Sequence, residues 1–562
     1  MGVADFYQPG VPTEIDLPTE SLVGMVEAAV AAVPDHIATD FFGHTMTYRQ
    51  FGDQVNRAAE GLRQLGVRPG DRVALVLPNC PQHLIAFYAV LRLGAIVVEH
   101  NPLYTARELR HMFEDHAARV AICWDAAVPK LQRQPDDIPI EHIVAVNLLD
   151  EFPAQLRLAL SLPLPALRHK RAALTGRSVG ATTTWKRLLN NHGLDPHFPK
   201  PGVHDEAVIL YTSGTTGLPK GVVLTHFNLH ANARQSEVWM HGSDAEIETF
   251  FAVLPLFHIF GLVLYGIYGV LKQARIHLFP TFDPSLVVTA AKKQPPTVFF
   301  AVPPIFEATA HAAQEQEVAL KTAKFCVSGA MTLSESTVKL WESVSCRLVE
   351  GFGMTECCIA LANPFWPTRR TGTIGLPFPS TQIRVVDIDD PSAEVAQGTP
   401  GELLIAGPQV FQGYWRNEAE TAAAVLPGGW LRTGDIVTQD ADGFTTIVDR
   451  KKELVITGGF NVSPSEVEAV LCSHPDIEDA CIVGLPDAHS GEVVVAAVVP
   501  KPGATLDVEA IRAYCRERLT AYKVPRQVLA LEVFPKSLLG KVLRGEVRNQ
   551  LLKRANAATV DG

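Results

Sequence analysis

Short apolar runs that stop at turn residues and alternate with helically spaced segments constrain this chain more than anything else in it. Val73-Ala74-Leu75-Val76-Leu77 ends at Pro78-Asn79. Leu84 to Leu93 then has helical spacing, Ala95-Ile96-Val97-Val98 begins another strand, and Val120-Ala121-Ile122-Cys123 follows a further helical stretch. A strand without polar alternation needs cover on both faces, so this succession predicts parallel sheets between layers of helices, an α/β fold. At 562 residues the chain has room for about three or four such units. Its 47% apolar content excludes disorder as the main state.

Phe250 to Leu271 contains no Asp, Glu, Lys or Arg, and reaches the ~20 residues a bilayer-spanning helix requires. Pro255 interrupts it, His258 sits within it, and Gly261, Gly266 and Gly269 weaken helical continuity. Lys272 and Arg275 offer one anchor, but Asp244, Glu246 and Glu248 make the other flank acidic. The tract therefore reads as a buried strand, turn and helix that line an apolar cavity.

The last hundred residues form a separate α+β pattern. Ser463-Pro464-Ser465-Glu466 is a capping box with Pro at the first helical position, followed by Val467, Val470 and Leu471 on one face. Strands are expected at Ala480 to Val483 and Val493 to Val499, and a helix near Asp507 carries Val508, Ile511, Tyr514 and Cys515. The charged run Asp449-Arg450-Lys451-Lys452 precedes this unit and reads as a hinge.

A formal charge of −11 argues against nucleic acid as the main partner. Nine cysteines without CxxC pairs or Cys/His clusters fit a reduced cytoplasm better than a disulfide scaffold or a zinc site. Met1 to Leu17 carries acids and prolines and does not read as a signal peptide. No nucleophile–base triad is visible.

The strongest chemical signal is Tyr211-Thr212-Ser213-Gly214-Thr215-Thr216-Gly217-Leu218-Pro219-Lys220-Gly221, which leaves the apolar run Ala207 to Leu210. Glycines permit close backbone approach, while amides, hydroxyls and a lysine offer a cradle for phosphate oxygens. The spacing is not that of a Walker A loop.

With this loop the chain resembles the adenylate-forming superfamily of acyl-CoA synthetases, luciferases and peptide-synthetase adenylation domains. The resemblance continues through Pro255-Leu256-Phe257-His258, Gly351-Phe352-Gly353-Met354-Thr355-Glu356, Trp430-Leu431-Arg432-Thr433-Gly434-Asp435, Asp449-Arg450-Lys451-Lys452 and Pro535-Lys536-Ser537-Leu538-Leu539-Gly540-Lys541, in the family's order. Asn101-Pro102-Leu103-Tyr104-Thr105-Ala106-Arg107-Glu108-Leu109 and Gly459-Phe460-Asn461-Val462 look most like bacterial long-chain fatty-acid–CoA ligases.

The resemblance implies a large N-terminal domain, residues 1–449, of helix-covered sheets with a small distorted barrel. A hinge at 450–452 would follow, then a small mobile α+β domain, 453–562. It implies ATP-dependent conversion of a long-chain fatty acid to acyl-AMP and pyrophosphate, then transfer to CoA with release of AMP. Two alternatives stay open: a fatty acyl-AMP ligase loading a carrier protein, and a non-catalytic acyl or nucleotide sensor on the same fold. The implied partners are fatty acid, ATP, Mg²⁺ and CoA, without nucleic acid, and a homodimer is compatible with it.

By resemblance, Thr212, Ser213, Gly214, Thr215, Thr216, Gly217 and Lys220 hold the polyphosphate, and Glu356 with Thr216 holds Mg²⁺. Gly329, Ala330, Glu350, Gly351 and Phe352 surround adenine, with Gly353 and Thr355 beside them. Asp435 accepts from the ribose hydroxyls and Arg450 contacts ribose or phosphate. Lys541 is the adenylation lysine, Lys452 the pivot, and Gly458, Gly459 and Phe460 form the CoA-side loop. His258 would gate or orient the carboxylate. Taken singly, Glu356 reads as a helix-start glutamate, Phe352 as core, Asp435 as a turn former and His258 as a core histidine. Lys541 alone reads as a solvated cation, as Arg544 and Lys553 do in the same basic tail. Leu538-Leu539 replaces the small polar residues frequent in that loop. Ile259, Phe260, Leu262, Val263 and Tyr265 are expected to line an acyl tunnel.

One segment points to a membrane. Phe152 to Leu194 holds no acid but contains Arg157, Arg168, Lys170, Arg171, Arg177, Lys186 and Arg187. Leu156, Leu158, Leu160, Leu162, Leu164 and Leu167 give it an apolar side, and Pro163 and Pro165 prevent a long spanning helix. It reads either as an ordinary basic surface loop or as a dock on anionic lipid, which would place a cytoplasmic enzyme peripherally on the inner membrane face.

Overall fold

A computed structural model describes residues 3–176, 180, 182–212, 219–242, 247–457, 460–487, 491–537 and 540–560. The chain divides into two compact units, Met1–Gln382 with Ile405–Leu431, and Ile383–Leu404 with Arg432–Gly562.

The first unit contains the predicted parallel sheet. Arg72–Val76 lies between Ile96–Glu99 and Val120–Trp124, parallel to both, with Val73 opposite Val97 and Val120. His142–Val146 and Thr183–Thr184 extend one side, and Glu206–Thr212 and Lys220–Thr225 the other. Helix Pro81–Arg92 is buried along its whole length, which explains its long apolar run Leu84–Leu91; its buried His83 is hydrogen-bonded to Glu99. A second sheet of nine strands runs from Leu376–Pro377 to His44–Thr47. Its core packs Phe251, Phe299, Phe306 and Trp341 together, and the Phe306 and Trp341 rings meet edge-on at 4.7 Å.

The charge-free tract belongs to this second sheet. Strand Thr249–Ala252 is followed by a turn, a helical start at Ile259–Gly261, a π-helix at Leu262–Tyr268 and α-helix at Gly269–Leu271. Every residue from Leu262 to Val270 is buried. Among the described residues no helix is long and apolar enough to cross a membrane.

The second unit holds the strand Trp430–Gln439 from Arg432 onward, antiparallel to Thr445–Arg450, then a sheet in which Ile477–Asp487 pairs with Gly491–Pro500. Both strands are longer than the sequence suggested, and side chains alternate between two cores. Ile482, Val494, Ala496 and Val498 pack with Val467, Leu471, Ile511 and Cys515 from helices Pro464–Cys472 and Val508–Arg516. Cys481, Val483, Val495 and Ala497 pack with Val547 and Leu551 from the C-terminal helix Arg544–Val560. The Ser463 hydroxyl caps its helix by accepting from the Glu466 N–H at 3.3 Å, while the Glu466 carboxylate pairs with Lys523 rather than closing a capping box.

Docking of that last helix corrects the reading of Arg544. Its guanidinium donates to Glu453 at 3.0 Å and to the Ile482 carbonyl at 2.7 Å, and it also pairs with Glu468. Arg544 is a structural cross-link and not a solvated tail residue.

Candidate functional site

In the first unit, the hydroxyl- and glycine-rich motif joins two antiparallel strands, with Thr212 opposite Lys220. Ser213, Gly214, Thr215, Thr216 and Gly217 lie outside the described residues, as do Gly458, Gly459, Leu538 and Leu539. Lys220 pairs with Glu420, and its Nζ lies 5.2 Å from the centre of the Tyr414 ring. The Tyr414 hydroxyl in turn donates to Glu356 Oε1 at 2.9 Å. Burial and the neighbouring Glu356 carboxylate both raise the Tyr414 pKa, so the phenol keeps its proton and remains a donor. One aromatic side chain thus links the lysine that follows the loop to the acid of the other motif. Sequence reasoning passed over Tyr414; the signal was Gly413-Tyr414-Trp415, whose backbone adds to the strand Lys220–Thr225.

Glu356 sits in the one-turn Thr355–Cys357 between strands Leu348–Met354 and Cys358–Ala362. The connection is tight enough to dictate Gly353, because a Cβ there would lie 2.0 Å from the Cys358 carbonyl oxygen. Cys358 takes φ +51°, a left-handed value that a non-glycine residue adopts at a cost. Glu356 itself is 7% exposed, and its carbonyl accepts the Phe411 N–H at 2.8 Å.

Upstream on the same strand, Glu350, Gly351 and Phe352 are buried. Burial pushes the Glu350 carboxyl up to about 7, opposed by the Leu333 N–H at 3.4 Å. Gly329 and Ala330 follow the neighbouring strand Phe325–Ser328, and Ala330 has φ +65°. A Cβ on Gly329 would come within 3.0 Å of the Phe260 ring, so the start of the apolar tract reaches the proposed adenine side. His258 is half-buried; its Nδ1 accepts from the Phe260 N–H at 3.4 Å, which leaves the proton on Nε2. Burial drops its pKa to about 4, so it is a neutral donor at neutral pH.

Asn79, read from sequence only as the end of a strand, clamps the segment leading to His258. Its amide donates to the carbonyls of Ala252 at 2.9 Å and Leu254 at 2.8 Å, and its Oδ1 accepts from the Leu256 N–H at 2.8 Å.

In the second unit, Asp435 and Arg450 stand opposite each other on paired strands, with Arg450 Nε 2.9 Å from Asp435 Oδ1. Asp435 is 1% exposed, and among the described residues its Oδ2 has no hydrogen-bond partner. Burial raises its pKa, while Arg450 and Lys541 act to lower it. The surrounding protein, and next Arg450, hold the Lys541 pKa below the usual lysine value, with Glu453 and Asp435 opposing. Lys541 therefore lies within electrostatic reach of the Asp435–Arg450 pair. The turn presenting it is closed by Ser537 N–H to the Lys541 carbonyl at 2.7 Å and Gly540 N–H to the Ser537 carbonyl at 2.8 Å.

At the run Asp449-Arg450-Lys451-Lys452, Asp449 accepts from the Ser463 hydroxyl at 2.6 Å and the Ser465 N–H at 3.1 Å. Lys451 is held by the Ile388 carbonyl and Glu402. Lys452, between tethered Lys451 and the Arg544-bound Glu453, is exposed. Phe460 is exposed too, and its ring stacks on Tyr522 at 4.6 Å.

Comparison with known proteins gives the family. Residues 26–415 match the AMP-binding enzyme family and residues 466–541 the AMP-binding enzyme C-terminal domain. The chain is 36% identical to a long-chain-fatty-acid–CoA ligase of Bacillus subtilis, over 96% of both chains. It is 35% identical to the protein of the same name from Escherichia coli O157:H7, over 97% of both. The fold is similar to that of ATP-bound MatB from Rhodopseudomonas palustris, with a TM-score of 0.79, 25% identity, and coverage of 95% of this chain and 99% of the other. A family match over residues 26–415, with relatives 35–36% identical over nearly the whole chain, settles the family: this chain belongs to the AMP-binding enzymes.

Proposed function

We propose that the protein is a long-chain-fatty-acid–CoA ligase. The observation that carries this reading is similarity to two ligases of that name over at least 96% of both partners. In the first half-reaction a fatty-acid carboxylate attacks the α-phosphate of ATP, giving acyl-AMP and pyrophosphate. In the second, the CoA thiol attacks the acyl carbonyl, releasing AMP and a proton.

A carboxylate is a poor electrophile, so the protein must position reactants and neutralise charge. Lys220, Thr212 and the intervening loop would receive the polyphosphate. Glu356, held by the Tyr414 hydroxyl, supplies a carboxylate, and Thr216, expected to share the ion, lies outside the described residues. That donor set suits magnesium, which takes one or two carboxylates and fills its shell with phosphate oxygens and water; when bound it would neutralise phosphate charge. The buried Oδ2 of Asp435 lacks a donor among the described residues, which suits a ribose hydroxyl. Gly329, Ala330, Glu350, Gly351 and Phe352 would flank adenine, with Phe352 offering its face. Lys541 would bridge the attacking carboxylate and the α-phosphate, and neutral His258 would orient the carboxylate through Nε2–H.

We take 453–562 as a domain that turns about 450–452, with Lys452 as pivot and Phe460 on the CoA side. The tethering of Lys451 to Glu402 on one side of an exposed Lys452, and of Glu453 to Arg544 on the other, supports this. The apolar tract after His258 supports a long acyl chain, since each added methylene buried is worth about 0.8 kcal/mol. Nine cysteines, all free thiols, support a reducing cytoplasmic setting. The acid-free segment from Phe152 to Leu194 supports contact with an anionic membrane.

The test is AMP release with CoA across a series of fatty acids. Turnover should rise from short to long chains. Acetate or an aromatic acid used as well as palmitate would refute the long-chain reading. Acyl-AMP that accumulates with CoA present but discharges onto a carrier protein would assign the alternative acceptor.

A further inference from the structure

We propose that residues 153–176 form a docking hairpin for an anionic bilayer surface. This deepens the membrane contact inferred above. Helix Ala154–Ser161 and helix Pro165–Leu174 are joined through Pro163, and from Pro153 to Gly176 not one side chain is buried. A pair of helices that lends nothing to a core is unusual, because helical stability in proteins comes mostly from burying an apolar face.

The hairpin is firmly rooted at both ends. Phe152 is buried against Phe41 and Phe42, with ring centres 5.3 and 4.5 Å away. At the other end the Trp124 indole donates to the Leu174 carbonyl at 3.0 Å, and the Gly176 N–H donates to Asp125 at 2.7 Å. Between these roots Leu156, Leu158, Leu162 and Leu164 are 42%, 70%, 47% and 54% exposed. Four exposed leucines within nine residues concentrate apolar surface of the kind that marks an interaction site.

Charge identifies the partner. The chain carries −11 overall, yet the hairpin has no acid. Its Arg157, Arg168, Lys170 and Arg171 make no ion pair among the described residues, whereas Lys186 farther along is bound to Asp150 at 2.6 Å. Arg177 lies outside the described residues. Leucines beside uncommitted cations fit an interface with acyl chains below and anionic headgroups at its level. The helices, of 8 and 10 residues, are too short to span a bilayer and long enough to lie in its face. Nucleic acid would satisfy the cations but not the leucines.

The experiment is flotation of the full-length protein with pure phosphatidylcholine vesicles and with mixed phosphatidylglycerol/phosphatidylcholine vesicles, at low and high salt. The wild type should float with the anionic vesicles and be released by salt. The triple variant Arg168→Glu/Lys170→Glu/Arg171→Glu should lose at least about a hundredfold in partitioning, from roughly fivefold for each cation removed. Leu158→Ser/Leu164→Ser should weaken binding while leaving the salt response in place. Neither variant removes a buried side chain, so thermal melting should match the wild type. Equal flotation on neutral vesicles, or full binding by the triple variant, would overturn the proposal. So would a protein that fails to float and whose leucine variant turns a dimer into a monomer by light scattering, which would make the partner a second copy. Flotation needs no turnover: a protein that floats as expected but releases no AMP from fatty acids would count against the ligase reading alone.

Discussion

Replacing Asn79 with alanine should cost about 3–6 kcal/mol of stability, and the number follows from where its three hydrogen bonds go. The carboxamide serves the carbonyls of Ala252 and Leu254 and the N–H of Leu256, all backbone groups in one short segment. Asn79 is 3% exposed, so those groups have no ready substitute from solvent. An unsatisfied buried group costs about 1–3 kcal/mol, which for three gives roughly 3–9. A water entering the vacated volume restores part of that, which leaves the lower half of the range. Two residues after Leu256 comes His258, so the same change should raise the fatty-acid KM and lower kcat together. Hydrogen exchange of a peptide containing Leu256 gives the local readout, with protection falling by about a hundredfold if only ~3 kcal/mol is felt there. Urea denaturation gives the global one. Asn79→Asp keeps the acceptor for Leu256 and loses both donors once ionised, so it should grow worse as pH rises. An alanine variant within about 1 kcal/mol of wild type, with unchanged exchange at Leu256, would refute the clamp.

Lys541→Ala should abolish acyl-adenylate formation while thioester formation from supplied acyl-AMP survives; equal loss of both half-reactions, measured separately, would remove Lys541 from its role. Lys452→Pro should harm thioester formation more than adenylation by fixing φ at the pivot, and an unchanged overall rate in a well-folded variant would argue against alternation. Burial raises the Glu350 carboxyl from 4.5 to about 7, so the folded chain retains a proton there that the unfolded chain gives up. Its contribution is complete below pH 4.5 and is lost as pH climbs through about 7, a change of about 3 kcal/mol. Glu350→Gln should flatten the pH dependence of urea stability across that window, and an undiminished slope would show that the proton resides elsewhere.

The strands Arg72–Val76 and Val120–Trp124 were legible because sheets covered on both faces write themselves as unbroken apolar runs. The Gly353–Glu356 motif stood out in the sequence because its residues lie within one tight connection and are close together in the chain. What escaped depends on topology. Tyr414 reaches Glu356 across 58 positions and Asn79 reaches Ala252 across 173, and neither pairing leaves a local trace. Arg544 was misread for the same reason, since its basic neighbourhood resembles a solvated tail until Val547 and Leu551 dock on the sheet. The strand after the phosphate loop was also hidden; a helix in that place would have satisfied the same glycines and hydroxyls.

The π-helix at Leu262–Tyr268 makes this part of the chain sensitive to length as much as to composition. A helix bonded i→i+5 carries surplus backbone that an α-helix would not accommodate, and is one residue's removal from ordinary register. Deleting a single position there would turn every following side chain by about 100° relative to those before it. The Tyr265 hydroxyl would leave the Phe300 carbonyl, and the Gly266 carbonyl would leave the Tyr88 hydroxyl that now donates to it at 2.7 Å. An insertion or deletion, rather than a series of point substitutions, is therefore the shortest evolutionary route to redrawing the apolar wall beyond His258.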